Sequence, residues 1–162
     1  MLESKIKYVV QFLLEKQYKI SFAESCTGGL LASSLVGIPD ASKVFDESIV
    51  TYSDASKVKY LGVNPSTIQQ YGVVSEEVAL EMVEGLMKTT NAQVGVSITG
   101  FAGPGGGNID KPVGTVCFGF CIQEKTFVQT MYFQQMSRNE VRESAIVYVW
   151  DTLISLLTKK GE

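Results

Sequence analysis

The sequence predicts an α/β fold, a three-layer α/β/α sandwich with a mixed, mainly parallel sheet, formed as a single domain over residues 1–162. Three observations predict it. Apolar residues of helical and of strand period alternate through the first two thirds of the chain, two strand-like runs after residue 114 lie close enough together for a hairpin, and a long apolar-periodic segment closes the sequence. At 162 residues the chain is one domain long, and no repeat, low-complexity tract or linker divides it. Hydrophobic residues at 45% and charged residues at 19% set it apart from disordered chains and coiled coils.

Leu2 to Lys16 reads as an amphipathic opening helix, because Ile6, Val9, Val10, Phe12, Leu13 and Leu14 recur at helical spacing between charged neighbours. Lys19 to Ala23 alternates like a strand. The polar, small-residue turn Glu24 to Gly29 follows, then the apolar run Leu30 to Val36 reads as a helix that Ile38-Pro39-Asp40 ends. Phe45 to Tyr52 suits a strand, and Ser53-Asp54 can cap a short helix carrying Lys57, Val58 and Tyr60. Asn64-Pro65 opens another short helix ending near Gly72, and Ser75-Glu76-Glu77 precedes one that runs to about Lys88. Gln93 to Thr99 is a strand with Val94, Val96 and Ile98 on one face. Thr115 to Gln123 and Thr126 to Phe133 form a hairpin joined at Glu124-Lys125, and Ser137 caps the last helix.

Composition removes whole classes of chemistry. The chain has no histidine, so Ser-His-Asp and Cys-His systems and histidine metal ligands are impossible, and any acid-base step must use Lys, Asp, Glu, Tyr or Cys. A net charge of -3 argues against a broad surface for nucleic acid or anionic lipid. An odd count of three cysteines, no cationic leader and no apolar run of bilayer length give the expectation of a reduced, cytoplasmic protein without a membrane segment.

Two loops stand where open α/β sheets bind ligands. In the first, Ser25, Cys26, Thr27, Gly28 and Gly29 precede a helix, and backbone N–H groups there favour a phosphate, carboxylate or oxyanion; an ordinary capped turn is the alternative. The second, Thr99-Gly100-Phe101-Ala102-Gly103-Pro104-Gly105-Gly106-Gly107, is too long and glycine-rich for a minimal connection, and the segment from Gly100 to Gly114 holds six of the 15 glycines. It has neither a Gly-Lys-Ser/Thr ending nor a Gly-x-Gly-x-x-Gly register, which disfavours P-loop and dinucleotide folds; a flexible surface loop is its alternative. Lys57 falls just after Tyr52-Ser53, and if desolvated at that strand end it can lose its proton and activate a serine; otherwise it is a solvated surface lysine. Arg138 and Arg142, four apart, share a helix face and suit either a phosphate or surface ion pairs. Cys117, Cys121 and Trp150 read as core.

Taken together, Ala23-Glu24-Ser25-Cys26-Thr27-Gly28-Gly29, Val50-Thr51-Tyr52-Ser53 with Lys57, Thr99-Gly100-Phe101-Ala102-Gly103-Pro104 with Gly106-Gly107, and Lys111-Pro112-Val113-Gly114-Thr115-Val116 resemble the C-terminal domain of the competence/damage-inducible protein CinA. The match extends to Gly72, Ser75-Glu76, Arg138 and Arg142, in order over nearly the whole chain. The resemblance implies the stand-alone form of that domain, a nicotinamide-nucleotide amidohydrolase that converts nicotinamide mononucleotide to nicotinic acid mononucleotide and ammonia in pyridine nucleotide salvage. It implies the same sandwich fold, no metal, no organic cofactor, and a homodimer. It implies Lys57 as catalytic lysine with Tyr52 beside it, and Ser42 as nucleophile in a Ser42/Lys57 dyad, with Ser25 and Thr27 as the fallback. Amides of the Ser25–Gly29 or Gly100–Gly106 loops would hold the oxyanion. Arg138, Arg142 or the helix N-terminus at Thr27–Gly29 would hold the 5′-phosphate. The competing expectation is a nucleotide-binding regulatory module without hydrolysis, acting on a protein partner in competence or DNA-damage response.

Overall fold

The structure is a computed structural model that describes residues 1–159; the last three residues of the expected domain lie outside the described residues. In chain order the elements are α1 (Leu2–Lys16), β1 (Ile20–Glu24), α2 (Leu30–Val36), α3 (Ala41–Val44), β2 (Phe45–Val50), α4 (Asp54–Leu61), α5 (Pro65–Tyr71), α6 (Glu76–Thr89), β3 (Val94–Gly100), β4 (Thr115–Ile122), β5 (Lys125–Tyr132) and α7 (Arg138–Thr158). The five strands form one sheet in the order β2-β1-β3-β4-β5. β1 pairs parallel with both β2 and β3, whereas β4 pairs antiparallel with β3 and β5, so β4 alone runs against the others. This is the expected mixed sheet in a single three-layer sandwich.

Strand period decides what each face can carry. Ile20, Phe22, Val94, Val96, Ile98, Val116, Phe118 and Phe120 fill one face together with Val9, Leu13, Leu31, Leu35, Val149, Trp150 and Leu153 from α1, α2 and α7. The alternate positions are small, among them Ala23, Gly95, Ser97, Cys117 and Gly119, and α6 lies close upon them. Ser97 Oγ donates to the Ala79 carbonyl at 2.6 Å, and a Cβ on Gly119 would run into the same carbonyl. Val78, Met82 and Leu86 of α6 then join Leu61, Val63 and Ala23 in a second apolar cluster.

The caps are those the sequence announces. Ser53, Asn64, Ser75 and Ser137 each accept an amide proton in the first turn of their helices, and Ser137 forms a full capping box with Glu140. Two details differ. The hairpin turns at Gln123-Glu124, one residue earlier than expected, with both residues at positive φ as a two-residue turn between twisted strands requires. Between Asp40 and Phe45 the chain makes the single turn α3, which carries Ser42.

Candidate active site

The connection from β1 to β2 runs through α2 and α3 on the α1/α7 face, while that from β2 to β3 runs through α4, α5 and α6 on the other face. The crossovers part at the C-terminal end of β1, the crevice where α/β sheets bind ligands. Three strand ends meet there. The Ser25 amide donates to the Ile98 carbonyl at 3.0 Å, and the Thr51 amide to the Glu24 carbonyl at 2.9 Å, which pins the segments after β1 and β2 against the end of β3.

Lys57 points into this junction from α4 and is 1% exposed. Its Nζ lies 2.9 Å from Ser25 Oγ, 2.8 Å from the Thr51 carbonyl and 3.4 Å from the Tyr52 carbonyl. Burial holds the amine below the ordinary lysine value, and the nearby Asp54 carboxylate, which pulls the other way, does not offset it. The loop thiol is inert by comparison. Burial pushes Cys26 up to about 12, against the lowering influence of Arg142 and Lys57, so no thiolate forms near neutral pH.

The expected Ser42/Lys57 dyad does not assemble. Ser42 is exposed on α3, at the end where β2 enters the sheet, and Lys57 gathers with Thr51 and Tyr52 at the end where it leaves. The six residues of β2 separate them by about 20 Å at strand rise. Ser25, the fallback, is the hydroxyl that lies against the Lys57 amine. Thr27 stays outside the contact because its hydroxyl donates to Glu24 at 2.7 Å.

Glu24 is the residue whose role the sequence reading missed. Fully buried, its carboxylate accepts from Thr27 Oγ1, from the amides of Leu31 and Ala32 at 2.9 and 3.1 Å, and from Ser48 Oγ at 3.3 Å. It thus caps α2 from inside and fixes the Ser25–Gly29 turn. The Thr27 hydroxyl and the Leu31 and Ala32 amides at that helix terminus are therefore already engaged by a carboxylate. Gly28 and Gly29 serve the turn's geometry, at φ 57° and 96°. The sequence pattern ends the strand at Ala23 and puts Glu24 in the polar turn, whereas Glu24 is the last residue of β1, a strand buried along its whole length.

Arg142 is likewise committed inside the protein. Its Nε and NH2 groups donate to the carbonyls of Cys26 and Thr27 at 3.1 and 3.0 Å, and NH1 donates to Asn139. Arg138 reaches the pocket itself, donating to the Gly103 carbonyl at 2.6 Å and the Tyr52 phenol at 2.9 Å. Thr99 donates to the Val73 carbonyl and draws the segment after α5 against the second loop. A Cβ on Gly100 would press into the Val116 side chain, so a larger residue there would have to displace it. Lys111 is used structurally, its ammonium held by the Tyr71 carbonyl.

The pocket so enclosed holds about 190 Å³ between Ser25, Cys26, Tyr52, Lys57, Ala102 and Arg138. A wider groove of about 710 Å³ beside Tyr71 and Tyr132 has no paired amine and hydroxyl. Among the described residues no cluster of three or more Cys, Asp or Glu side chains is placed to hold a metal, and no helix is long and apolar enough to cross a membrane.

Residues 2–157 match the model of the CinA C-terminal domain. A competence-damage inducible protein of Alkaliphilus oremlandii is 54% identical over 145 residues, covering 90% of this chain and 35% of that protein. A CinA-like protein of Kosmotoga olearia is 45% identical over 149 residues, covering 92% and 36%. The chain therefore spans about a third of the length of these relatives. Among solved structures, the competence/damage inducible protein CihA of Agrobacterium tumefaciens superposes with a TM-score of 0.92 at 34% identity, covering 96% of this chain and 94% of that one. A CinA superfamily protein of Escherichia coli gives a TM-score of 0.92 at 35% identity, covering 96% and 90%. Sequence and backbone agree over almost every described element, and the chain belongs to the CinA C-terminal domain family.

Proposed function

We propose that this domain hydrolyses the carboxamide of nicotinamide mononucleotide to nicotinic acid mononucleotide and ammonia, with Ser25 as nucleophile and Lys57 as base. One observation carries the reading: a buried lysine whose nitrogen touches a hydroxyl and two backbone carbonyls. A neutral amine has two N–H bonds and one lone pair. The N–H bonds satisfy the Thr51 and Tyr52 carbonyls, and the lone pair is left to accept the Ser25 proton.

In the proposed reaction Ser25 Oγ attacks the amide carbon as its proton passes to Lys57. The tetrahedral intermediate collapses as Lys57 returns that proton to the leaving nitrogen, releasing ammonia and leaving an ester on Ser25. Water then attacks the ester, Lys57 takes the water's proton and delivers it to Ser25 Oγ, and the acid departs. Cys26, Ala102 and Gly103 border the pocket, and their amides are the proposed oxyanion donors, typically worth about 3 kcal/mol each. The pocket is smaller than the roughly 300 Å³ at which sites for whole drug-sized ligands begin. Accordingly the pyridine carboxamide would enter it, with ribose and phosphate at the rim beside Tyr52 and Arg138.

A regulatory module that only held a nucleotide would gain nothing from an amine buried against a hydroxyl, because the desolvation weakens its charge. Ammonia release separates the two readings. Purified protein is expected to release ammonia from nicotinamide mononucleotide and to lose that activity in Lys57→Met; no release by the unaltered protein would overturn the proposal.

A further inference from the structure

Among the described residues, Lys57 is the one base within hydrogen-bonding distance of the Ser25 hydroxyl. The other polar groups around the pocket are committed or remote. The Thr99 hydroxyl donates to the Val73 carbonyl, the Tyr52 phenol accepts from Arg138, and the buried Cys26 thiol stays protonated. Asp54 lies at the exposed start of α4 and hydrogen-bonds to neither Ser25 nor Lys57. Val74 and Ala102 supply apolar wall. The site therefore has a base for whatever attacks at Ser25, and no second group in contact with that pair to hold a water in preference to another nucleophile.

We propose that the domain is also an acyltransferase, passing the pyridine carbonyl from Ser25 to small uncharged nitrogen nucleophiles of the hydroxylamine class. This activity rests on the Ser25 ester of the proposed hydrolysis. In acylation Lys57 protonates the nitrogen that leaves, so the place vacated by ammonia already sets a nitrogen against that amine, and the reverse proton transfer needs no new group. The nitrogen lone pair of hydroxylamine forms a bond to the ester carbon. The bond from that carbon to Ser25 Oγ breaks and its electron pair stays on Oγ. Lys57 takes a proton from the attacking nitrogen and delivers it to Oγ. In sum, amide and hydroxylamine give hydroxamate and ammonia, with no change of oxidation state.

Two features of the pocket select the nucleophile. Lys57 is 1% exposed and has no carboxylate in contact, so the site disfavours a second cation. Alkyl amines are cations at neutral pH, whereas hydroxylamine is largely uncharged. Size is the other restriction. A pocket of about 190 Å³ that already holds the pyridine carbonyl has room for a nucleophile of a few atoms and not for a second ring.

The test follows ammonia, acid and hydroxamate as the purified chain turns over nicotinamide mononucleotide in rising hydroxylamine near neutral pH, with the enzyme-free reaction subtracted. Hydroxamate is expected, in a ratio to acid that climbs in proportion to hydroxylamine. A shared Ser25 ester makes that ratio the same when the methyl ester of nicotinic acid mononucleotide replaces the amide. O-Benzylhydroxylamine, also uncharged but larger, should give at least tenfold less product. Ser25→Ala should lower acid and hydroxamate by one common factor, about 10²-fold or more. Ammonia release with acid as the sole product would overturn the acyl transfer and leave the hydrolysis standing, whereas the absence of both ammonia and hydroxamate would overturn both. A ratio that changes with the leaving group, equal use of O-benzylhydroxylamine, or hydroxamate formation untouched by Ser25→Ala would each overturn the acyl transfer alone. The leaving-group comparison uses the unaltered chain, so it decides the matter if Ser25→Ala does not fold.

Discussion

Lys57 is buried without a carboxylate in contact, an arrangement that stability alone would select against. The proposed mechanism requires it, and two outcomes at the residue scale follow. Ser25→Ala and Lys57→Met should each lower the rate of ammonia release by about 10²–10⁴-fold, the range for loss of a positioned proton-transfer group, while Ser42→Ala should leave it unchanged. The rate should rise with pH through a value below the ordinary lysine pKa, with no imidazole limb, since the chain has no histidine. The same titration bears on folding. Because the folded-state value is lowered, the unfolded chain binds more protons between that value and the ordinary one, so stability increases with pH across that window. Lys57→Met is therefore expected to be more stable than the unaltered chain below the window, with the advantage shrinking as pH rises through it, as urea melts at a series of pH values would record.

At the scale of elements, the Ser25 turn owes its shape to Glu24, which holds the Thr27 hydroxyl and the first amides of α2, and to Arg142, which holds the carbonyls of Cys26 and Thr27. α2 is only seven residues long and has no side-chain cap from its own N-cap residue, Gly29. The buried carboxylate supplies what that helix lacks. Glu24→Ala would leave the Leu31 and Ala32 amides without acceptors in the interior, for an expected loss of about 3 kcal/mol. It would also release the turn that carries Ser25, so ammonia release should fall with the melting temperature, even though Glu24 makes no contact with Lys57. An alanine at the exposed Ser42, by contrast, should change neither.

Across the whole molecule, the layer of α1, α2 and α7 is tied to the sheet through Trp150. The indole is fully buried, meets Phe22 edge-on at 6.2 Å between ring centroids, and donates to Ser34 on α2 at 3.0 Å. Trp150→Ala should cost about 3–5 kcal/mol in a denaturant titration, the range for large aromatic truncations in a packed core. The loss should spread through both helices rather than the pocket, because Trp150 lies on the layer opposite α4.

Local chemistry made most of the architecture legible. Caps such as Ser53, Asn64, Ser75 and Ser137 act within three residues of themselves, and the period of Val94, Val96 and Ile98 declares its own buried face. The short α3 escaped notice, since a single turn spans too few residues to show a period. Glycine placement and the lack of histidine also belonged to the sequence, and they already restricted any base to an amine, a carboxylate, a phenol or a thiol. Pairing was different. Ser25 and Ser42 are both serines in the stretch before Lys57, and nothing local tells which one the lysine meets. Parallel pairing of β1 with β2 decided it, by bringing the C-terminal ends of both strands to one edge and leaving the start of β2 about six residues of strand away. Burial of Glu24 was likewise a tertiary outcome: its carboxylate is tolerated in the interior only because α2 folds back to present two free amides to it.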